Sequence, residues 1–208
     1  MSSLLTEALS LCNLAAVGIF GIVLSAAFCE IEWTRCHKLL LVGSTILMLA
    51  LQGVVSLRWG TGLARYLYPL ITHLPLWLLL AAMTRRALWP LVSVLTAYLC
   101  CQLRRWAALL VIALFPAGGT VLQDATELIV TLPILLVLIR WIAPSVRALS
   151  RSPLLLQLQF GMIPLLSYLF DYFTRIYTDL LSSGNQAAVE FMPFVCSPVS
   201  YTHLTLPT

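Results

Sequence analysis

The chain has 208 residues, of which 61% are hydrophobic and 10% charged, with a formal net charge of +4 and a mean hydropathy of +0.97. A water-soluble domain is about 45–50% apolar and about 25% charged, so this chain carries more apolar surface than one aqueous core can bury. The composition excludes a soluble enzyme, a disordered tail and a disulfide-stapled secreted module, and leaves an integral membrane protein.

The hydrocarbon core of a bilayer is about 30 Å thick and is crossed by about 20 helical residues, whose backbone must satisfy its own hydrogen bonds. The apolar runs therefore read as an all-α, polytopic transmembrane helical bundle of about seven spans (roughly six to eight). The first runs from Ala8 to Phe28, with Asn13 as its strongly polar interruption. No basic stretch precedes it, so it reads as a retained span and not as a cleaved signal. The second is Leu39 to Leu57, with Gln52 and Gly53 near its end, and the third is Tyr66 to Met83, containing Pro69, His73 and Pro75. Ala87 to Leu103 and Trp106 to Leu122 follow, divided by Arg104-Arg105, and the second of these is interrupted by Pro116-Ala-Gly-Gly119. Thr126 to Ile142 and Leu154 to Phe170 come next, and another segment begins at Ala187. The connections are too short for a soluble domain between spans.

Eleven of the twelve cations are Arg, set against eight acids, and they lie between apolar runs. That distribution anchors a protein in the lipid bilayer and is not the clustered footprint of a nucleic-acid partner. Three pairs, Arg58-Trp59, Arg105-Trp106 and Arg140-Trp141, read as interface anchors, because Trp favours the headgroup region and Arg snorkels toward phosphate. Six Cys (12, 29, 36, 100, 101 and 196) form no CxxC and no metal spacing. Cys29, Cys36 and His37 share a loop with Glu30 and Glu32 in no recognised zinc pattern, so no metal site is expected.

Arg140, Arg147 and Arg151 have no acid nearby, which predicts a multi-pass cell-membrane protein with residues 143–152 cytoplasmic and residues 171–185 extracellular. If Trp106–Leu122 is a full span, the N-terminus is cytoplasmic, with seven cations inside and five outside. If that stretch is re-entrant, the N-terminus is outside and the count is again seven to five.

Two groups of polar residues are candidate ligand-sensing sites. Asp124 and Glu127, with Gln123, sit where the Gly-rich turn enters the sixth segment, and acids within a membrane are expensive and often functional. The alternative is that they occupy a first helical turn, favoured by its dipole, at the interface. Asp171, Arg175 and Asp179 recur every four residues on one helix face, among Tyr168, Tyr172, Phe173 and Tyr177. They offer an outer mouth to a peptide or small molecule, or form an aromatic belt with intrahelical ion pairs. A lone His73 between two prolines reads as a packed polar contact. Glu190 marks the outer end of the last segment. No phosphate loop, HExxH or nucleophile elbow occurs, so no catalytic residue and no cofactor are expected in this chain.

The last ten residues, Val199-Ser-Tyr-Thr-His-Leu-Thr-Leu-Pro-Thr208, resemble the in-frame translation of a transposase-based sequencing adapter. Residues 1–198 are then a multi-span membrane region whose last span is incomplete, and residues 199–208 are a non-native tail.

The stretch from Phe170-Asp-Tyr-Phe-Thr-Arg-Ile-Tyr to Glu190-Phe-Met-Pro-Phe194 resembles the end of the membrane sensor in bacterial GHKL-domain sensor histidine kinases. Leu103-Arg-Arg-Trp106 and Leu138-Ile-Arg-Trp-Ile-Ala-Pro144 are similar to the same group. The resemblance implies the sensing half of a two-component histidine kinase, truncated before its phosphoacceptor His and ATP-binding domain. ATP and Mg would serve only that missing domain. The implied partners are a second copy of the full-length parent, a cytoplasmic response regulator, and a peptide or small-molecule signal. A small transporter or a stand-alone integral membrane protein is the rival reading. A transporter should gather midplane polar groups on interrupted helices, whereas the charged residues here fall near segment ends.

Overall fold

The computed structural model describes residues 2–114 and 119–172. Every element among them is helical: α1 (Ser2–Phe28), α2 (Arg35–Tyr68), α3 (Leu74–Thr84), α4 (Leu88–Leu114), α5 (Gly119–Val137), α6 (Ala143–Leu149) and α7 (Leu154–Tyr172). Two five-residue π-helical turns, Pro69–His73 and Leu138–Ile142, join α2 to α3 and α5 to α6.

Local chemistry sets the breaks. Thr34, in extended backbone, caps α2 by accepting a hydrogen bond from the His37 amide at 3.2 Å. Within α2, Gly60 takes φ 87° and ψ 161°, a conformation that a side chain would oppose. The chain turns back there, so that Val55 before the break shares a buried cluster with Ala64 and Ile71 after it. The π turns have a common cause. Each is followed by X-Pro, Leu74-Pro75 and Ala143-Pro144, and proline clashes with the carbonyl four residues earlier. The wider turn relieves that clash: Leu74 N–H bonds Pro69 O and Ala143 N–H bonds Leu138 O, five residues back.

The passes alternate in direction. At one end, called here the near end, the α1–α2, α3–α4 and α6–α7 turns meet: Trp89 Nε1 donates to Phe28 O at 3.1 Å, and Arg86 Nη1 donates to Ser150 O at 3.3 Å. The Gly60 reversal, the start of α1 and the end of α7 lie at the far end.

α4 packs against α1, α3, α5 and α7 and is the centre of the bundle. Phe20, Leu24 and Phe28 of α1, Leu76 and Leu80 of α3, and Trp89 and Val92 of α4 form the core. The outward faces are apolar as well. Leu57 is 77% exposed, and Leu39, Ile129 and Trp141 are each above 70%. A water-soluble monomer does not present such a surface, whereas hydrocarbon solvates it.

Among the described residues, five helices are long and apolar enough to cross a membrane: Ala8–Phe28, Arg35–Gly60, Leu88–Leu114, Val121–Leu149 and Leu154–Asp171, with Pro69–Thr84 a shorter apolar helix. The architecture is that of a multi-pass bundle, but the expected division of residues 87–122 into two segments does not occur. α4 runs unbroken through Arg104 and Arg105 to Leu114. Two adjacent arginines in an apolar run imitate an interfacial boundary, and the pairing described next is what lets one of them lie inside. The segment starting at Ala187 falls outside the described residues.

Candidate functional site

Three helices each contribute polar groups to one buried cluster. Arg104 of α4 stands about 24 Å along the helix from Leu88, well inside a membrane-length span, and is 3% exposed. Its Nη2 donates to Glu127 Oε2 at 2.9 Å and to Asn13 Oδ1 at 3.1 Å, and its Nη1 donates to Thr131 Oγ1 at 2.8 Å. Asn13 of α1 returns two bonds through Nδ2, to Asp124 Oδ1 and Glu127 Oε2, both at 2.9 Å. Gln123 Nε2 reaches Glu127 Oε1 at 3.4 Å, and Thr131 closes the set by donating to Glu127 O at 2.5 Å.

The sequence periodicity explains the convergence. Gln123, Glu127 and Thr131 recur every four residues and so share one face of α5. Asn13 is the strongly polar interruption of the apolar Ala8–Phe28 stretch of α1, and amide groups within a bundle turn toward other helices and not toward lipid. In such surroundings an ion pair is tolerated only when both charges are also hydrogen-bonded, as Arg104 and Glu127 are. Asp124 and Glu127 are not in a first turn: α5 begins at Gly119 and has no acid there. Packing against Arg104 and Asn13, not the helix dipole, holds them.

A second cluster surrounds His73. Its ring makes edge contacts with Tyr68, Tyr98 and Tyr168 at centroid distances of 4.9, 5.2 and 5.4 Å, and its Nδ1 is 3.2 Å from the Tyr168 hydroxyl. The Tyr98 hydroxyl donates to the Asp171 carboxylate. The expected packed polar contact at His73 is therefore present. Asp171 is 3% exposed, so it faces α4 within the bundle and not an open outer mouth. Arg175 and Asp179, the other members of that stripe, lie outside the described residues.

No family model, no curated protein and no solved structure matches the chain. Its chemistry has to be read from these two clusters. Among the described residues, no group of three or more His, Cys, Asp or Glu is arranged to hold a metal ion.

The anchor pairs fall into two kinds. Arg58, Trp59, Arg140 and Trp141 are exposed, whereas Arg105 and Trp106 are half-buried within the length of α4. Asn13, Arg104 and Thr131, and Tyr68 and Tyr98 in the second cluster, were not singled out as site residues by sequence. The available signals were one amide in an apolar helix and a hydroxyl four residues after an acid. Neither signal names its partner.

Proposed function

We propose that the chain is the membrane-embedded sensing region of a two-component sensor histidine kinase, passing an extracellular or membrane signal to a cytoplasmic kinase domain outside this chain. The observation that carries the reading is that Arg104 and Tyr98 share α4, which links the α1/α5 cluster to the cluster that His73 of the first π turn forms with α7. A signal that prefers one arrangement of either cluster would shift α4 and, with it, α7, in whose last turn the resemblance to the sensor's end begins. Only differential affinity for the two arrangements drives such a shift. The full-length dimer would bind ATP and Mg through its kinase domain and hand phosphate to a response regulator.

The orientation we propose puts the near end in the cytoplasm. Arg35, Lys38, Arg85, Arg86, Arg140, Arg147 and Arg151 lie toward that end, and removing Arg104 and Arg105 from the outer count leaves Arg58, Arg65 and Arg175. Residues 143–152 are then cytoplasmic, and the N-terminus and residues 171–185 are outside.

Recovering the natural reading frame past Pro198 and assaying the full-length protein in vesicles with labelled ATP tests this. Signal-dependent labelling of a histidine supports it, and a frame lacking a kinase domain overturns it. The buried Arg104–Glu127 pair and the two π turns favour a second reading, a small transporter, because both are features of substrate pathways. Solute flux into vesicles that depends on Glu127 would favour that reading.

A further inference from the structure

At the near end, a cavity of about 350 Å³ opens between the α3–α4 and α6–α7 turns, lined in part by Arg86, Trp89, Ser150, Arg151, Leu154 and Gln157. We infer that this cavity binds the phosphate group of an anionic membrane phospholipid. The inference depends on the bundle crossing a bilayer and is independent of the sensor reading.

The donors converge and the acceptors are occupied. Arg86 spends one bond on Ser150 O, at 3.3 Å, and Arg151 uses Nε and Nη2 on Glu30. Each guanidinium has five N–H donors, and both residues are exposed at the cavity. Gln157 Nε2 donates to Ser150 O at 3.0 Å and to Ser152 O at 2.8 Å, so the carbonyls that would repel an anion already have donors. Guanidinium and phosphate form charge-assisted, geometrically matched bonds. α4 and α7 both begin at the cavity, and their positive ends add to the field there.

The surroundings favour a lipid over a soluble phosphate. Leu154 and Leu155 are 64% and 68% exposed, and Leu158 follows on the same outer face of α7, so acyl chains have an apolar track leading away from the headgroup. The cavity lies at the level where turns leave the apolar helices, which is where lipid phosphates sit. Glu30 is the competing anion. It holds Arg151, and a phosphate would share that guanidinium.

Native mass spectrometry of the whole purified chain, titrated with phosphatidylglycerol or phosphatidylcholine, provides the test. We expect selective retention of phosphatidylglycerol, weakened about fivefold per arginine removed, hence about 25-fold in Arg86→Gln/Arg151→Gln. Glu30→Gln should tighten retention, an effect that misfolding would not produce. Arg35→Gln/Lys38→Gln, at the same end but outside the cavity, should leave it unchanged. Equal retention of both lipids, loss in the Arg35/Lys38 variant comparable to the cavity variant, or no tightening in Glu30→Gln would overturn the proposal. So would displacement of the lipid by millimolar inorganic phosphate, which would identify a soluble-anion site.

Discussion

Arg104 Nη2 lies 2.9 Å from Glu127 Oε2, with the two side chains only 4% and 9% exposed. This contact holds α4 to α5 inside the apolar bundle, and Asn13 ties α1 to the same pair. Breaking a buried ion pair from one side strands a charge, at about 3–5 kcal/mol. Arg104→Ala should therefore lower bundle stability by about that amount, whereas Arg104→Met/Glu127→Leu should recover most of the loss. Unfolding midpoints of the two variants in matched detergent measure this. Equal destabilisation would mean that the pair is replaceable by nothing apolar.

Two glycines make close helix contacts of unequal tolerance. A Cβ on Gly161 would come within 2.7 Å of Val92 Cγ2, and one on Gly18 within 2.9 Å of Leu49 Cδ2. Val is stiff at χ1, whereas the end of Leu can rotate away. Gly161→Ala should cost about 1–3 kcal/mol by overpacking α4 against α7. Gly18→Ala should cost less, as compared by thermal denaturation of the two variants.

Arg85 closes α3 in the left-handed conformation, at φ 54° and ψ 27°. Such a position suits glycine, and a side chain there is disfavoured by about 1–2 kcal/mol. Arg85→Gly should raise the unfolding midpoint. A fall would mean that the Arg85 side chain makes contacts worth more than the backbone relief.

At the near end the Arg151 side chain donates to Glu30, and that hydrogen bond holds the Glu30 carboxyl below its ordinary range, aided by the Arg151 charge. Because the folded value is the lower one, the pair's contribution is full above the usual carboxylate range. It is lost as pH falls through the depressed value. The stability difference between the native chain and Arg151→Gln should therefore shrink below about pH 4. High salt at neutral pH should shrink it as well, since the pair is exposed.

The helical class and the apolar runs were legible because period and length follow from single segments. Pro75 announced irregularity and Pro144 was passed over, and at both the structure makes a π turn without ending the helical path. What escaped was pairing across the bundle. Arg104 reads as a boundary residue until Glu127, 23 positions later, neutralises it, and Asp171 reads as exposed until Tyr98 covers it. Asn13 was visible as a polar interruption, but its partners lie 91 to 114 residues away. Such contacts are set by helix order and tilt, which no local pattern encodes.

α4 is one unbroken helix with Arg104 buried part-way along it. In a chain whose six cysteines are replaced, single cysteines at Thr61 and Ser152 can be labelled with an impermeant maleimide in sealed vesicles. An unbroken α4 puts these positions on opposite faces, so one labels at once and the other only after the membrane is opened. If both label from the same side, α4 is divided at Arg104-Arg105 into two passes, and the buried cluster does not exist as described.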